Sequence, residues 1–375
     1  MVETKHRYLP LDTLRFVAVT LVFFQHAIPG GIWLGRSGVD MFFLLSGYLI
    51  TGGLIRSTPG KGYFSSFYTR RVLRIFPAYY LNIALAVIFM GAAALPMVPW
   101  AVVFLGNFGY SSSGVGTLGP LAHVWSLAVE EQFYLLWPLL LFFVRSLKMR
   151  WILIGAIIVA APFVRLWLTG TFGWASAYSM LPARADGLAL GAAIALAQQQ
   201  WGVQLFQAHR RLLTIAAGVM ALVFLGAYWA FPFPTTPHMT ITLSASVIFF
   251  GCVLAATIGW SETRVATAMS LRPIVYLGQI SFGIYLIHRW LIPYLQQFIT
   301  ETWLVVIIAA VGTVGLAMLS FHFFETPINR WGRRALGRRE SRATATPTVG
   351  TRAPDDEVDV EAEQIGARGG TRLPY

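Results

Sequence analysis

Charge is scarce in this chain, and acidic charge is scarcer still. Asp, Glu, Lys and Arg make up 12% of its 375 residues, against roughly 25% in an ordinary soluble domain. Acidic residues number 16 and basic ones 28, a net charge of +12. This excludes a soluble globular enzyme with a charged surface. Cysteine is nearly absent too. The one thiol, Cys252, lies in an apolar run and reads as a small buried side chain. It excludes an intramolecular disulfide framework and a cysteine-based metal cluster. The sequence also lacks a glycine-rich phosphate loop and zinc-type histidine spacing. It has no internal repeat, and no A-x-A-like cleavage site follows its first apolar run.

What the chain has is apolar length. Hydrophobic residues make up 56% of it, and its mean hydropathy is +0.63. Runs near the ~20 residues that cross a bilayer recur from residue 11 to residue 324. The expected fold is all-α, a polytopic membrane bundle of about ten transmembrane helices, at roughly 11–29, 37–55, 76–95, 123–145, 151–169, 181–198, 212–231, 239–259, 274–296 and 302–324. Cations gather in alternate connections: Lys5 and Arg7; Arg56, Lys61, Arg70, Arg71 and Arg74; Arg145, Lys148 and Arg150; Arg210 and Arg211; Arg264 and Arg272; and Arg330 onward. The other side has Arg36 and little else. The positive-inside rule then predicts that both termini are cytoplasmic. It also explains the basic balance without nucleic acid, because the cations do not share one soluble face.

Three segments stand apart. Residues 61–75 mix aromatics with arginines and suit an interfacial helix at the cytoplasmic surface. Residues 96–122 form an outer loop long enough to fold over an opening. Residues 1–330 are expected to form the membrane domain. Residues 331–375, with acidic residues from Asp355 to Glu363 and few large apolar ones, are expected to be a disordered cytoplasmic tail.

Ionisable residues at membrane depth are functional candidates, because each costs about 2.5–3.5 kcal/mol on insertion scales. Arg15 and His26 lie eleven residues apart, hence on one helical face and about 16 Å apart along the axis. Asp40, near the outer end of the second span, could orient the His26 imidazole or cap its own helix. His123, Ser126 and Glu130 share one helical face. Glu131 beside Glu130 calls for a nearby cation such as Arg165, or for protonation. Arg70, Arg71 and Arg74 read either as the ordinary inner-surface signal or as a phosphate site. Arg184 and Asp186 follow Pro182, where they either meet a polar substrate or begin a helix. His288 and Arg289 complete the set.

Six segments in this order resemble the acyltransferase 3 family of bacterial membrane acyltransferases. They are YLPLDTLRFVAVTLVFFQH, GVDMFFLLSGYLI, FYTRRVLRIFPAYY, HVWSLAVEEQFYLLWP, LPARADGLALG and LGQISFGIYLIHRW. The resemblance covers about residues 7–327, with Thr13 departing from the glycine more usual at its position. It implies O-acyl transfer, often of acetyl, from cytoplasmic acyl-CoA to a hydroxyl of a carbohydrate, glycolipid or glycosylated metabolite, by a multi-pass protein of the cell inner (plasma) membrane. It places the family's arginine–histidine motif on Arg15 and His26, its arginine pair on Arg71 and Arg74, and its acidic motif on Glu130 and Glu131. The expected catalytic residues are His26, Asp40, Glu130 and Glu131. Arg15, Arg70, Arg71 and Arg74 would hold acyl-CoA, and His123, Ser126, Arg184, Asp186 and His288 the acceptor. No metal or permanently bound cofactor is expected. Some members carry an additional extracytoplasmic hydrolase-like domain; this sequence reads as a stand-alone transferase. Buried Arg, Asp, Glu and His also suit a proton-coupled transporter, which would move a solute without consuming acyl-CoA.

Overall fold

Inside a bilayer no water satisfies backbone N–H and C=O groups, so an apolar run must bond within itself, as a helix does. The computed structural model describes residues 8–31, 33–57, 60, 62–112, 119–332 and 334. They form helices and their connections, with no strand among the described residues. Ten long helices stand out. These are α1 (Pro10–Ala27), α2 (Gly38–Ile55), α3 (Tyr63–Met90), α4 (Trp125–Phe143) and α5 (Leu147–Phe172). They continue with α6 (Leu181–Ala208), α7 (Arg210–Ala230), α8 (Leu243–Gly259), α9 (Ser281–Gln296) and α10 (Thr302–Leu319). Each coincides with one expected span. Among the described residues, 8 helices are long and apolar enough to cross a membrane. The remaining two are α1, which carries Asp12, Arg15, Gln25 and His26, and α9, which has only 16 residues and carries His288 and Arg289. The two helices that fall short are thus the two whose histidines, His26 and His288, meet each other.

Four details differ from expectation. Residues 63–75 are not a separate interfacial helix but the first half of α3, which continues through Pro77. Arg70, Arg71 and Arg74 thus stand on the same rod as the span. The segment expected as 274–296 is two helices, Arg272–Gln279 and α9, parted at Ile280. The outer connection is partly helical, at Val98–Val102, Gly106–Ser112 and a 3-10 turn over Gly119–Val124. Residues 331, 332 and 334 are helical. The rest of the expected tail lies outside the described residues, as do residues 1–7 and 113–118.

α2, α6 and α8 form the centre, with α2 and α6 most extensively packed on each other. α7 lies at the edge, where Leu222 and Trp229 are 73% and 82% exposed, as suits side chains that face lipid. Helices in a membrane gain little from the hydrophobic effect among themselves and associate through close packing of small residues. The α2–α6 contact shows this. A Cβ at Gly47 would meet the Leu188 carbonyl, and a Cβ at Gly191 would meet the Leu44 carbonyl. A side chain at either position forces the helices apart. Gly191→Leu is expected to destabilise the bundle by about 1–3 kcal/mol, read as a lowered thermal midpoint in detergent. Gly155→Ala on α5, with nothing within 4 Å of the added Cβ, should leave the midpoint unchanged.

Candidate active site

Buried charges divide into two groups. The first is consumed in ion pairs. Asp40 on α2 pairs with Arg184 on α6, and its other carboxylate oxygen accepts from Ser246 of α8 at 2.6 Å. Arg165 on α5 is fully buried and donates to Asp186 at 2.7 Å, to the Ala183 carbonyl at 2.7 Å and to Ser244 of α8 at 2.7 Å. This network ties α2, α5, α6 and α8 together. It corrects several expectations. Asp40 binds Arg184 and does not orient His26. Arg165 serves Asp186 and not the Glu130–Glu131 pair. Arg184 and Asp186, at 2% and 4% exposure, are enclosed in the network and line none of the cavities described below.

The second group lines cavities. At the end of the bundle where α1 begins, a vestibule of about 1080 Å³ is bordered by Arg15, Arg56, Arg74 and Arg330, with Asp12 and Glu325 as counter-charges. Arg15 donates to Asp12 at 2.6 Å. Tyr8, also on the vestibule wall, donates to the Thr257 carbonyl at 2.6 Å. Burial pushes its phenol up to about 12, so it stays a neutral donor. Arg15 and Arg74 also line a narrower inner cavity of about 110 Å³, together with Ser46, Arg71, Ser126, Glu130 and Tyr285. Glu130 accepts from Tyr134 at 2.8 Å, Tyr134 meets Ser46, and the Arg71 guanidinium lies 5.0 Å from the Tyr134 ring centre. Val39 and Tyr285 are shared in turn with an outer cavity of about 170 Å³, which is lined by Gln25, His26, Arg36, His123 and Arg289. The three cavities succeed one another along the bundle through these shared walls.

Three imidazoles meet beside the outer cavity. His288 Nδ1 lies 3.2 Å from the Ile284 carbonyl and donates to it, which leaves Nε2 as the acceptor. His26 Nδ1 lies 3.0 Å from that Nε2 and 3.0 Å from the Val22 carbonyl, so a hydrogen there serves both. Nε2 of His26 is then the nitrogen with the lone pair. The His123 ring centre is 5.5 Å from that of His288. Among the described residues, no group of three or more His, Cys, Asp or Glu is placed to hold a metal ion.

The sequence-based set is thus partly assembled. His26, His123 and His288 converge, and Ser126 and Glu130 share the inner cavity. Ser126 is held by Tyr285 at 2.5 Å, which also donates to the His123 carbonyl at 2.9 Å. Glu131 lines no described cavity. Arg70 is exposed, donates to Ser66 at 2.8 Å and stands away from the cavity walls that Arg71 and Arg74 form. His288 contacts His26 directly instead of lining the outer cavity. Sequence reading passed over Tyr134 and Tyr285. The available signal was spacing, with Tyr134 four residues after Glu130 and Tyr285 three before His288, each on the same helical face.

Removing one partner of a buried ion pair strands the other. Asp40→Ala is therefore expected to destabilise the protein by about 3–5 kcal/mol. Asp40→Leu combined with Arg184→Met should recover most of the loss, as measured by thermal unfolding in detergent.

Comparison with known proteins follows this geometry. A family model described as an acyltransferase domain matches residues 9–322. The peptidoglycan O-acetyltransferase OatA of Listeria monocytogenes is 31% identical over 356 residues, covering 87% of this chain and 56% of that protein. The putative peptidoglycan O-acetyltransferase YrhL of Bacillus subtilis is 29% identical, covering 89% of this chain and 57% of that protein. An O-acetyltransferase OatA of Staphylococcus aureus is 27% identical, covering 92% and 61%. The chain spans a little over half the length of these relatives. No solved structure matches it. A multi-pass helical bundle whose polar residues line a series of internal cavities, matched by the family model over most of its length, belongs to the acyltransferase 3 family.

Proposed function

We propose that this protein transfers an acyl group, acetyl by preference, from cytoplasmic acyl-CoA to a hydroxyl of a carbohydrate acceptor on the outer side of the cell's inner (plasma) membrane. The observation that carries this reading is the succession of cavities from the arginine-lined vestibule to His26. All ten long helices cross the bilayer in it, and both termini face the cytoplasm, as the distribution of cations supports. Two of the relatives are named peptidoglycan O-acetyltransferases, one of them as putative, and these names favour a cell-envelope glycan as acceptor.

Acyl-CoA is polyanionic at its nucleotide end and slender at its thioester end. Arg15, Arg56, Arg74 and Arg330 suit the phosphates, since guanidinium forks match phosphate oxygens. The pantetheine arm passes Arg71, Glu130 and Tyr134 in the inner cavity. Here Glu130 acts by holding Tyr134 and balancing Arg71, a positioning role distinct from base chemistry. Arg15 and His26 are about 16 Å apart along α1, a distance the arm can bridge. The acceptor hydroxyl gives its proton to Nε2 of His26 as its oxygen attacks the thioester carbonyl. The carbon–sulfur bond breaks, and the departing CoA thiolate takes the proton back from the imidazolium.

His26→Ala is expected to lower transfer of labelled acyl from acyl-CoA by about 10²–10⁴-fold in isolated membranes. Undiminished transfer contradicts the assignment. Labelled protein trapped without acceptor would instead favour an acyl-histidine relay. Arg74→Gln should raise the KM for acyl-CoA more than it lowers kcat, and equal loss in both would remove Arg74 from donor binding. A connected route also suits a proton-coupled carrier. Solute flux with no consumption of acyl-CoA would decide for that reading.

A further inference from the structure

Acyl transfer passes through a stage at which the carbonyl oxygen of the donor carries negative charge, and in a dry interior that charge needs a donor aimed at it. Backbone N–H groups often supply one. Here the walls of the outer cavity are mostly helices and 3-10 turns, whose N–H groups are largely spent on their own carbonyls. A side chain has to serve. Arg289 of α9 lines the same outer cavity as His26. Among the described residues it makes no ion pair and no hydrogen bond, whereas Arg165 and Arg184 of the buried network are held by Asp186 and Asp40. No Asp or Glu lines the cavity.

The place of Arg289 in the chain couples it to the imidazole. The residue before it, His288, accepts the Nδ1 hydrogen of His26 at 3.0 Å, so the helix that orients His26 also carries this guanidinium. Tyr285, one helical turn before Arg289, lines the cavity on the same face of α9. Its hydroxyl is already engaged by Ser126 at 2.5 Å and by the His123 carbonyl at 2.9 Å. A guanidinium at membrane depth without a counter-charge is costly. A negative charge that forms only during the reaction relieves that cost in the transition state and not in the resting enzyme, which is the condition for raising kcat.

We propose that Arg289 is a further catalytic residue, its guanidinium donating to the oxyanion that forms on the thioester carbonyl as the acceptor hydroxyl attacks beside His26. This inference rests on the proposed transfer at His26. The acceptor oxygen bonds to the carbonyl carbon while its proton passes to Nε2 of His26. The carbonyl electron pair moves onto the oxygen, where the guanidinium meets it with charge-assisted hydrogen bonds. When the carbonyl re-forms, the carbon–sulfur bond breaks and the CoA thiolate takes the proton from the imidazolium. Arg289 gives up no proton at any step and stays charged throughout.

The test uses membranes of native-host cells that lack the chromosomal copy and are supplied with wild type or variant, so that the host's own glycan serves as acceptor. The donors are labelled acetyl-CoA and its dithioester analogue, in which sulfur replaces the carbonyl oxygen. Arg289→Gln is expected to lower kcat by about 10²–10³-fold with the KM for acetyl-CoA little changed, and Arg289→Lys to keep more of kcat than Arg289→Gln. Sulfur accepts hydrogen bonds weakly, so the wild type should favour the oxygen donor over the sulfur donor, and this ratio should fall about tenfold or more in Arg289→Gln. A purely structural role slows both donors alike and leaves the ratio unchanged, which overturns the proposal. So does an undiminished kcat, or a loss confined to KM. Should Arg289→Gln fail to accumulate, the wild type alone is decisive: an oxygen-to-sulfur ratio no greater than that of uncatalysed transfer to a simple alkoxide overturns the proposal. Wild-type membranes that consume no acetyl-CoA would sink the proposed function and this inference with it, whereas wild-type transfer with full kcat in Arg289→Gln would sink this inference alone.

Discussion

A charged side chain in the hydrocarbon of a bilayer has two stable surroundings, a partner of opposite charge or a wet cavity. That constraint sorts almost every unusual residue in this protein. Asp40, Arg184, Arg165 and Asp186 found partners, and with Ser244 and Ser246 they fasten α2, α5, α6 and α8. Arg15, Arg71, Arg74, Glu130, His26 and Arg289 line cavities. The fastened group holds the central helices at a fixed spacing, and the glycine contacts at Gly47 and Gly191 bring α2 and α6 close enough for the ion pairs to form. The second group depends on the first, because the cavities are the spaces left between helices held in this way.

Within the cavities, order along the bundle takes the place of direct contact. Glu130 and His26 do not touch; one lies on the inner cavity and the other on the outer. Tyr285 stands on the wall between them and links Ser126 to the backbone at His123. His26 is oriented by a second imidazole, whose own tautomer is fixed by a backbone carbonyl of α9. A neutral partner of this kind fixes which nitrogen carries the proton without bringing another negative charge into the membrane interior.

Much of this was legible in the sequence, for identifiable reasons. Apolar runs of membrane length give helices because the bilayer permits few alternatives, and all ten long helices lie where expected. The Arg15–His26 spacing placed both residues on one face of α1 because a single helix has a fixed period. Pairings between helices were not legible. Asp40 seemed a partner for His26 from depth alone, but depth does not give rotation about the helix axis, and Asp40 faces α6. Arg165 was read as a cation for the Glu130–Glu131 pair, and only the α5–α6 packing gives it to Asp186. The break at Ile280, which separates the two halves of the ninth expected span, sits among Gly278, Gln279, Ser281 and Gly283, a local signal that the apolar run on either side outweighed. The contact between His26 and His288 spans 262 positions in the chain, and no local period encodes it.

In the proposed function the protein is a passage, with donor and acceptor approaching His26 from opposite faces of one membrane. The most direct measurement uses sealed inside-out vesicles that contain the protein, with hydroxyl acceptor trapped in the lumen and labelled acyl-CoA added outside. The account predicts that label appears on the lumenal acceptor while the acyl-CoA remains outside. Label found only on acceptor supplied to the same side as the acyl-CoA would contradict it.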